Sequence, residues 1–125
     1  MAAEYLITGG QGFFGAWIAR RLLEEGASFV LSDLQPDDSI LRQVLDPAAL
    51  GSLDLRFGDV GDGAFVRGLV EDVCPEKIIH LAGLQVPTCR EDPVLGARVN
   101  VTGTLNVFEA ARRQAGGVSC IAYAS

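Results

Sequence analysis

Apolar residues along the chain follow two alternating patterns. Short runs rich in β-branched and aromatic residues alternate with longer stretches in which apolar residues recur every three or four positions. The short runs have the usual length of β-strands. The pattern therefore predicts five strands, at residues 5–8, 28–33, 53–58, 77–82 and 118–124.

Three helices are predicted between these strands, each with an apolar stripe that we expect to face the sheet. The stripes consist of Phe14, Ile18 and Leu22, then Phe65, Leu69 and Val73, and finally Val101, Leu105 and Phe108. Helix stop signals follow each stretch, namely Gly26, Pro75 and the Gly116-Gly117 pair, and Asp62 is a suitable N-cap for the second helix. Residues 35–51 predict a loop that holds a short helix.

The alternation of strands and helices is typical of a parallel sheet. Because crossovers between parallel strands are right-handed, helices should cover both faces, and the strand order 3-2-1-4-5 is favoured. No internal repeat or linker divides the chain. We therefore predict one α/β domain, a three-layer, doubly wound parallel sheet that spans residues 1–125.

Composition restricts the classes of function. The chain has 125 residues, of which 49% are apolar, and a net charge of −6 with scattered basic residues, so we expect no nucleic-acid partner. No apolar run approaches the roughly 20 residues that span a bilayer, and the N-terminus lacks the pattern of a secretion signal. We expect a cytoplasmic protein that has no membrane partner.

The three cysteines, Cys74, Cys89 and Cys120, lie far apart and show no metal-ligand spacing. We interpret them as reduced thiols and predict no metal site. Cys120 falls within an apolar strand and is expected to be a small core residue, with a reactive thiol as the alternative.

A glycine-rich turn, Thr8-Gly9-Gly10-Gln11-Gly12-Phe13-Phe14-Gly15, joins the first strand to the first helix. Gly9 permits a tight turn, Gly12 leaves room for phosphate oxygens near the backbone, and Gly15 permits close helix packing. The helix N-terminus would then face a pyrophosphate. Glycine turns also have purely structural roles, so the triplet alone leaves both interpretations open.

Asp33 ends the second strand, 18 residues after Gly15, where a carboxylate can bind the hydroxyls of an adenosine ribose. Its charge would repel a 2′-phosphate, and the flanking Ser32 and Leu34 supply no arginine to bind one. The sequence therefore favours NAD over NADP. The alternative is that Asp33 only begins a turn.

Two further strand ends carry candidate residues. The third ends with Asp59 and Val60, which suit the amino group of an adenine, although Asp59 is equally suited to cap a turn. The fourth ends with small residues, Ala82 and Gly83, where a flat nucleotide would cross the sheet edge. His80, the sole histidine, has no acid-base partner in its vicinity along the sequence, and we assign it a structural role.

Five motifs occur in order along the chain: TGGQGFFG at 8–15, Asp33, GDV at 58–60, HLAG at 80–83 and NVTGTLNVFEAAR at 100–112. With these, the chain resembles the extended short-chain dehydrogenases/reductases, and more narrowly the NAD-dependent epimerase/dehydratase family that includes nucleotide-sugar 4-epimerases. The resemblance covers nearly all 125 residues and implies a Rossmann fold with NAD as cofactor.

The resemblance also implies roles for individual residues. Gly9, Gly12 and Gly15 would form the phosphate turn, with backbone amides of Phe13 and Phe14 on the pyrophosphate; Asp33, beside Leu34, would hold the ribose. Asp59 and Val60 would contact adenine, while Leu81, Ala82, Gly83 and Gln85 would line the path toward the nicotinamide. Asn100 would support the backbone near the active site.

The chain departs from the family at its end. Family members carry a Ser or Thr after the fifth strand and then a Tyr-x-x-x-Lys pair that acts in proton transfer, but no such pair occurs in these 125 residues, and Ser125 matches only the first serine of a Ser-Ser pair. We assign no catalytic residue and expect an N-terminal portion of a longer enzyme, inactive alone.

Three hypotheses follow. The longer protein is an NAD-dependent epimerase, dehydratase or related oxidoreductase with a small-molecule substrate such as a sugar nucleotide. Alternatively, the chain is a non-catalytic dinucleotide-binding or redox-sensing module, or it belongs to an NADP-linked reductase. The resemblance also implies a possible homodimer through residues 94–113.

Overall fold

The computed structural model describes residues 2–124. They form one parallel five-stranded sheet in the order β3-β2-β1-β4-β5, which confirms the predicted fold and strand order. The strands are β1 (Tyr5–Thr8), β2 (Phe29–Asp33), β3 (Leu55–Phe57), β4 (Lys77–His80) and β5 (Cys120–Tyr123).

The helices are α1 (Phe13–Glu25), α2 (Leu41–Val44), α3 (Pro47–Gly51), α4 (Gly63–Val73), α5 (Val86–Glu91), α6 (Pro93–Ala97) and α7 (Gly103–Arg113). A π-helical turn (Arg98–Thr102) joins α6 to α7. Residues 35–51 thus hold two short helices rather than the single predicted one. No described helix is both long enough and apolar enough to cross a membrane.

Alternate residues of the central strand β1 point to opposite faces of the sheet. Leu6 packs with α4 and α7, whereas Ile7 packs with α1 and α2. Ile7 also pairs with Leu31 of β2 and Ile79 of β4, so apolar residues fill the middle of the sheet. One apolar core therefore lies on each face of the sheet. Because the strands are parallel, their carboxyl ends lie at the same edge.

The helix boundaries follow local signals. Asp62 accepts hydrogen bonds from the amides of Ala64 (3.0 Å) and Phe65 (3.3 Å), which confirms its predicted role as an N-cap. Gly26 ends α1 in the left-handed conformation, with φ of 70°. Cys74 ends α4 with φ of 48°, directly before Pro75.

The predicted stripe of α7 is wrong, and the predicted stripe of α1 is correct only in part. In α1, Leu22 is buried and Ile18 packs against the core as predicted, but Phe14 is 67% exposed, and the small residues Ala16 and Ala19 are buried instead. In α7 the helix buries Val107, Ala110 and Ala111; the predicted stripe of Val101, Leu105 and Phe108 is exposed. Helix α7 has two apolar faces, and periodicity alone cannot choose between them.

The prediction that Cys120 is a core residue is wrong, because its side chain is exposed. Strand β5 pairs only with β4 within the described residues, and it is the alternate residue, Ile121, that packs against the core shared with α4 and α7. An edge strand has one covered face here, so every second apolar residue faces outward. All three cysteines are free thiols.

Candidate functional site

The glycine turn leaves β1 and passes directly against the end of β4. Gly9 has φ of 66°, and a Cβ there would lie 2.7 Å from the amide nitrogen of Ala82 and 2.8 Å from the carbonyl carbon of Leu81. Both the conformation and the space require glycine at this position. The turn therefore packs directly against the end of β4, where we expect the nucleotide to bind.

The other two motif glycines differ in what surrounds them. A Cβ on Gly15 would lie 2.5 Å from the carbonyl oxygen of Gly10, so Gly15 serves the packing of α1 on the turn. A Cβ on Gly12 would have only the carbonyl oxygen of Gly9 nearby, at 3.4 Å, and Gly12 faces the cleft described below. Of the three motif glycines, Gly9 and Gly12 line the cleft, and Gly15 does not.

The N-terminus of α1 opens at Gly12. Gly12 provides no side-chain cap, and the first turn of the helix contains no acidic residue. The amides of Phe13 and Phe14 stand in this first turn, while their rings are exposed and pack edge to face with centroids 5.7 Å apart. An uncapped helix N-terminus carries partial positive charge and favours an anion.

Asp33 is oriented by two backbone amides. Its Oδ2 accepts a hydrogen bond from the amide of Gln11 at 3.0 Å, and its Oδ1 accepts one from Leu34 at 2.8 Å. The carboxylate of Asp33 therefore lies next to the glycine turn, at Gln11. This arrangement holds a negative charge at the cleft described below.

Asp59 caps a turn and also forms an ion pair. Its Oδ1 accepts a hydrogen bond from the amide of Gly61 at 2.8 Å, and its Oδ2 lies 2.8 Å from Nη2 of Arg98 in the π-helical turn. The turn-capping alternative raised by the sequence is thus present in the structure. Nothing in the local sequence pattern indicates Arg98, because the pair depends on how the π-helical turn packs against the loop that follows β3.

His80 lies in a buried hydrogen-bond network and is 4% exposed. Its Nδ1 is 2.6 Å from Oγ1 of Thr8, and its Nε2 is 3.2 Å from Oγ1 of Thr104, which donates to the carbonyl of Asn100. Thr8 Oγ1 accepts from the amides of Leu81 and Ala82, so it donates its proton to Nδ1. His80 is therefore neutral with its proton on Nε2, and burial lowers its pKa.

Asn100 holds the loop after β4. Its Oδ1 accepts from the amide of Leu84 at 2.7 Å, and its Nδ2 donates to the carbonyl of the same residue at 3.0 Å. Gln85 follows as the residue before α5 and forms no side-chain cap. One amide thus fixes both backbone groups of Leu84 at the edge of the site.

These elements enclose a cleft of about 310 Å³ at the carboxyl edge of the sheet. The predicted residues that line it are Gly9, Gly12, Asp33, Leu34, Asp59, Val60, Leu81, Ala82 and Gly83. Ser32, Gly58, Leu84 and Val99 also line it and were not among the predicted site residues. Gly58 belongs to the GDV motif and Ser32 adjoins Asp33, whereas nothing local indicates Val99.

Gln85 and Asn100 lie apart from the first cleft, on a second one that shares the segment from Leu81 to Leu84. Thr104 and Tyr123 also line this second cleft. Phe13, Phe14 and Gly15 line neither cleft; they follow Gly12, which lines the first one. Ser125 lies outside the described residues.

Within residues 2–124, no cluster of three His, Cys, Asp or Glu side chains could hold a metal ion. Side-chain-free walls at Gly9 and Gly12, a helix N-terminus and a fixed carboxylate match a pyrophosphate that is joined to a ribose.

Comparison with known proteins places these features in a family. The family model for GDP-mannose 4,6 dehydratase matches residues 6–124. The chain is 31% identical over 111 residues to CDP-paratose 2-epimerase of Salmonella typhi and 38% identical over 110 residues to UDP-glucose 4-epimerase of Mycolicibacterium smegmatis. These alignments cover 88% and 86% of the chain but 33% and 34% of the relatives.

Solved structures show the same fold. The Thermus thermophilus UDP-glucose 4-epimerase complex with NAD superposes with a TM-score of 0.75 at 29% identity, covering 89% of this chain and 34% of the other. The Bordetella bronchiseptica enzyme WbmG in complex with NAD and UDP gives 0.79 at 26% identity, covering 98% and 37%. The chain spans about a third of the length of the relatives it matches, and it belongs to the GDP-mannose 4,6 dehydratase family of epimerases and dehydratases.

Proposed function

We propose that the chain binds NAD(H) in the cleft at the carboxyl edge of the sheet. One observation carries the proposal: Gly12, at the uncapped N-terminus of α1, and Asp33, whose carboxylate is held by two amides, line the same cleft together with Gly9. The pyrophosphate would lie on the amides of Phe13 and Phe14, and the adenosine ribose on Asp33. When bound, the nicotinamide supplies a hydride acceptor and donor.

The remaining residues would hold the rest of the dinucleotide. Asp59 and Val60 border the adenine end of the cleft, whereas the backbone of Leu81, Ala82 and Gly83 leads toward the second cleft, where Gln85 lies. Asn100 would act indirectly, since it fixes the backbone of Leu84 between the two clefts. Gly15 keeps α1 against the turn.

We infer that NAD is preferred to NADP. Two backbone amides keep the carboxylate of Asp33 in place, and none of the arginines in residues 2–124 lines the cleft. A 2′-phosphate would therefore meet a fixed negative charge without a cation to pair with it.

Calorimetry with NADH and NADPH tests these proposals. Asp33→Asn keeps the shape of the side chain but removes its charge, so NADH affinity should fall at least tenfold, which corresponds to about 1.5 kcal/mol. Asp54→Asn is the matched control, because Asp54 pairs with Arg56 by β3 and lies outside the cleft. NADH affinity that is unchanged in Asp33→Asn would refute the role of Asp33, and a folded wild-type chain that binds no NADH would refute the proposal as a whole.

The longer protein, we propose, is an NAD-dependent epimerase, dehydratase or related oxidoreductase that acts on a nucleotide sugar. Relatives of this chain include UDP-glucose 4-epimerases and a dTDP-glucose 4,6-dehydratase. The 125 residues contain no Tyr-x-x-x-Lys pair, so we propose that they bind cofactor without turnover. A protein extended to the length of the relatives should convert a nucleotide sugar, and the 125-residue chain should not.

A second candidate is a non-catalytic dinucleotide-binding or redox-sensing module, which would need no more than the cleft that these residues form. The two candidates differ in what the gene encodes. A downstream Tyr-x-x-x-Lys in the gene would reject the module, whereas a stop codon after Ser125 would support it.

We further propose that a second copy of the chain covers the exposed apolar face of α6 and α7. Val94, Val101, Leu105 and Phe108 are 39–78% exposed there. Leu105→Glu should shift a sedimenting dimer to monomer, and Leu34→Glu, which is equally exposed but lies elsewhere, should not. A wild-type chain that is monomeric at high concentration would contradict the dimer.

The three free thiols fit a reducing compartment such as the cytoplasm.

A further inference from the structure

One short stretch, residues 81–84, belongs to both clefts. Of residues 2–124, only these four line the first cleft and the second cleft alike. The stretch follows directly after β4, at the carboxyl edge of the sheet. A dinucleotide that extends from the first cleft into the second must therefore pass along it, and its backbone conformation relates one half of the ligand to the other.

Two different side chains hold the two ends of this stretch. At its start, Oγ1 of Thr8 accepts hydrogen bonds from the amides of Leu81 at 3.1 Å and Ala82 at 3.2 Å. At its end, the side-chain amide of Asn100 binds both backbone groups of Leu84. Thr8 belongs to β1 and Asn100 to the π-helical turn, so the two ends depend on separate elements of the fold.

The buried ring of His80 connects these two holding groups. Its Nδ1 accepts the proton of the Thr8 hydroxyl at 2.6 Å, which leaves both lone pairs of that oxygen for the amides of the stretch. Its Nε2 donates to the hydroxyl of Thr104 at 3.2 Å, and this hydroxyl donates to the carbonyl of Asn100 at 2.7 Å. One continuous chain of hydrogen bonds thus runs from β1 through the ring to the π-helical turn.

We propose that His80 is a positioning residue that aligns the two clefts: through Thr8 and Thr104 it joins the groups that hold residues 81–84, and so sets the nicotinamide half of a bound dinucleotide relative to the adenosine half. The inference rests on the proposed binding of NAD(H). A fully satisfied buried network restricts its members to one arrangement. Loss of the link should therefore weaken a ligand that uses both clefts more than a ligand that uses only the first.

Thr104→Val tests the link, because valine has the shape of threonine but offers no hydroxyl to His80 or Asn100. The dissociation constants of NADH and of ADP-ribose, which lacks the nicotinamide, are measured by calorimetry on the 125-residue chain. The wild-type chain should bind NADH more tightly than ADP-ribose. In Thr104→Val the dissociation constant of NADH should rise roughly fivefold, as expected for the loss of one hydrogen bond, and that of ADP-ribose should rise less than about twofold.

Thr104→Ser and Thr102→Val are the matched controls. Serine keeps the hydroxyl at position 104 and should restore both dissociation constants. Thr102 is exposed on the π-helical turn, caps no helix with its side chain and lines neither cleft, so Thr102→Val should leave both constants at the wild-type values. Circular dichroism and urea unfolding establish that each variant is folded. A purely structural role of the network would leave the ratio of the two constants unchanged.

His80→Leu is a second variant, which removes both links at once and should change the ratio in the same direction. If His80→Leu does not fold, the two variants of Thr104 still decide the question. An unchanged ratio in folded Thr104→Val, or a wild-type chain that binds ADP-ribose as tightly as NADH, would overturn the inference. A wild-type chain that binds no NADH would instead refute the proposed function itself.

Discussion

Replacing Gly9 with alanine separates the conformational need for glycine from the need for space. Gly9 and Gly26 have nearly the same positive φ, 66° and 70°. Their surroundings differ, because a Cβ on Gly9 would lie 2.7 Å from the backbone of Ala82, whereas a Cβ on Gly26 would meet nothing within 4 Å. Gly26→Ala is therefore the matched control.

The magnitude follows from this difference. Alanine in the left-handed conformation costs about 1–2 kcal/mol, and the loss of chain entropy in the unfolded state offsets part of it; both effects apply equally to the two variants. Gly9→Ala must in addition displace the backbone at the end of β4, at a cost of about 1–3 kcal/mol. We expect Gly9→Ala to be less stable than Gly26→Ala by that last amount.

Urea unfolding followed by circular dichroism measures the difference in the free energy of unfolding. The displaced backbone at Ala82 also forms the wall of the cleft, so Gly9→Ala should weaken NADH binding at a temperature where it is folded, and Gly26→Ala should not. Equal stability of the two variants to within about 0.5 kcal/mol would refute the close approach of the turn to β4.

Two further predictions concern groups outside the turn. Burial lowers the pKa of His80 in the folded state below its unfolded-state value of 6.5. Below pH 6.5 the unfolded chain therefore binds more protons than the folded chain, and the free energy of unfolding decreases as the pH falls. Above pH 6.5 the stability that neutral His80 contributes is complete. From pH 7 to 5, the free energy of unfolding should therefore fall more steeply in wild type than in His80→Gln. The difference between the two slopes should stay below about 1.4 kcal/mol per pH unit. Parallel profiles would contradict a buried neutral histidine. Asp62→Ala removes the cap of α4 and should lower the free energy of unfolding by about 1 kcal/mol, as measured by urea unfolding, whereas an unchanged value would show that the cap is dispensable.

The sequence predicts the features that depend on local pattern or on general rules of topology. Parallel strands that are buried on both faces appear as apolar runs, and right-handed crossovers then restrict the strand order. The cap at Asp62 depends on residues two and three positions away, and Gly26 marks the end of α1 for an equally local reason.

Features that depend on the tertiary placement of an element cannot be predicted from the sequence. The exposed face of α7 and the exposed Cys120 reflect which side of each element has a neighbour, and no pattern within the element contains that information. The Arg98–Asp59 ion pair and the hydrogen bond from Gln11 to the carbonyl of Gln35 join residues that are more than 20 positions apart. These contacts determine the finer chemistry of the candidate site.

A crystal structure of the chain with NAD bound tests the central claim most directly. The account predicts pyrophosphate oxygens within about 3.2 Å of the amides of Phe13 and Phe14, and ribose hydroxyls at the same range from the carboxylate of Asp33. Dinucleotide density that is seated elsewhere, or ribose hydroxyls that are remote from Asp33, would contradict it.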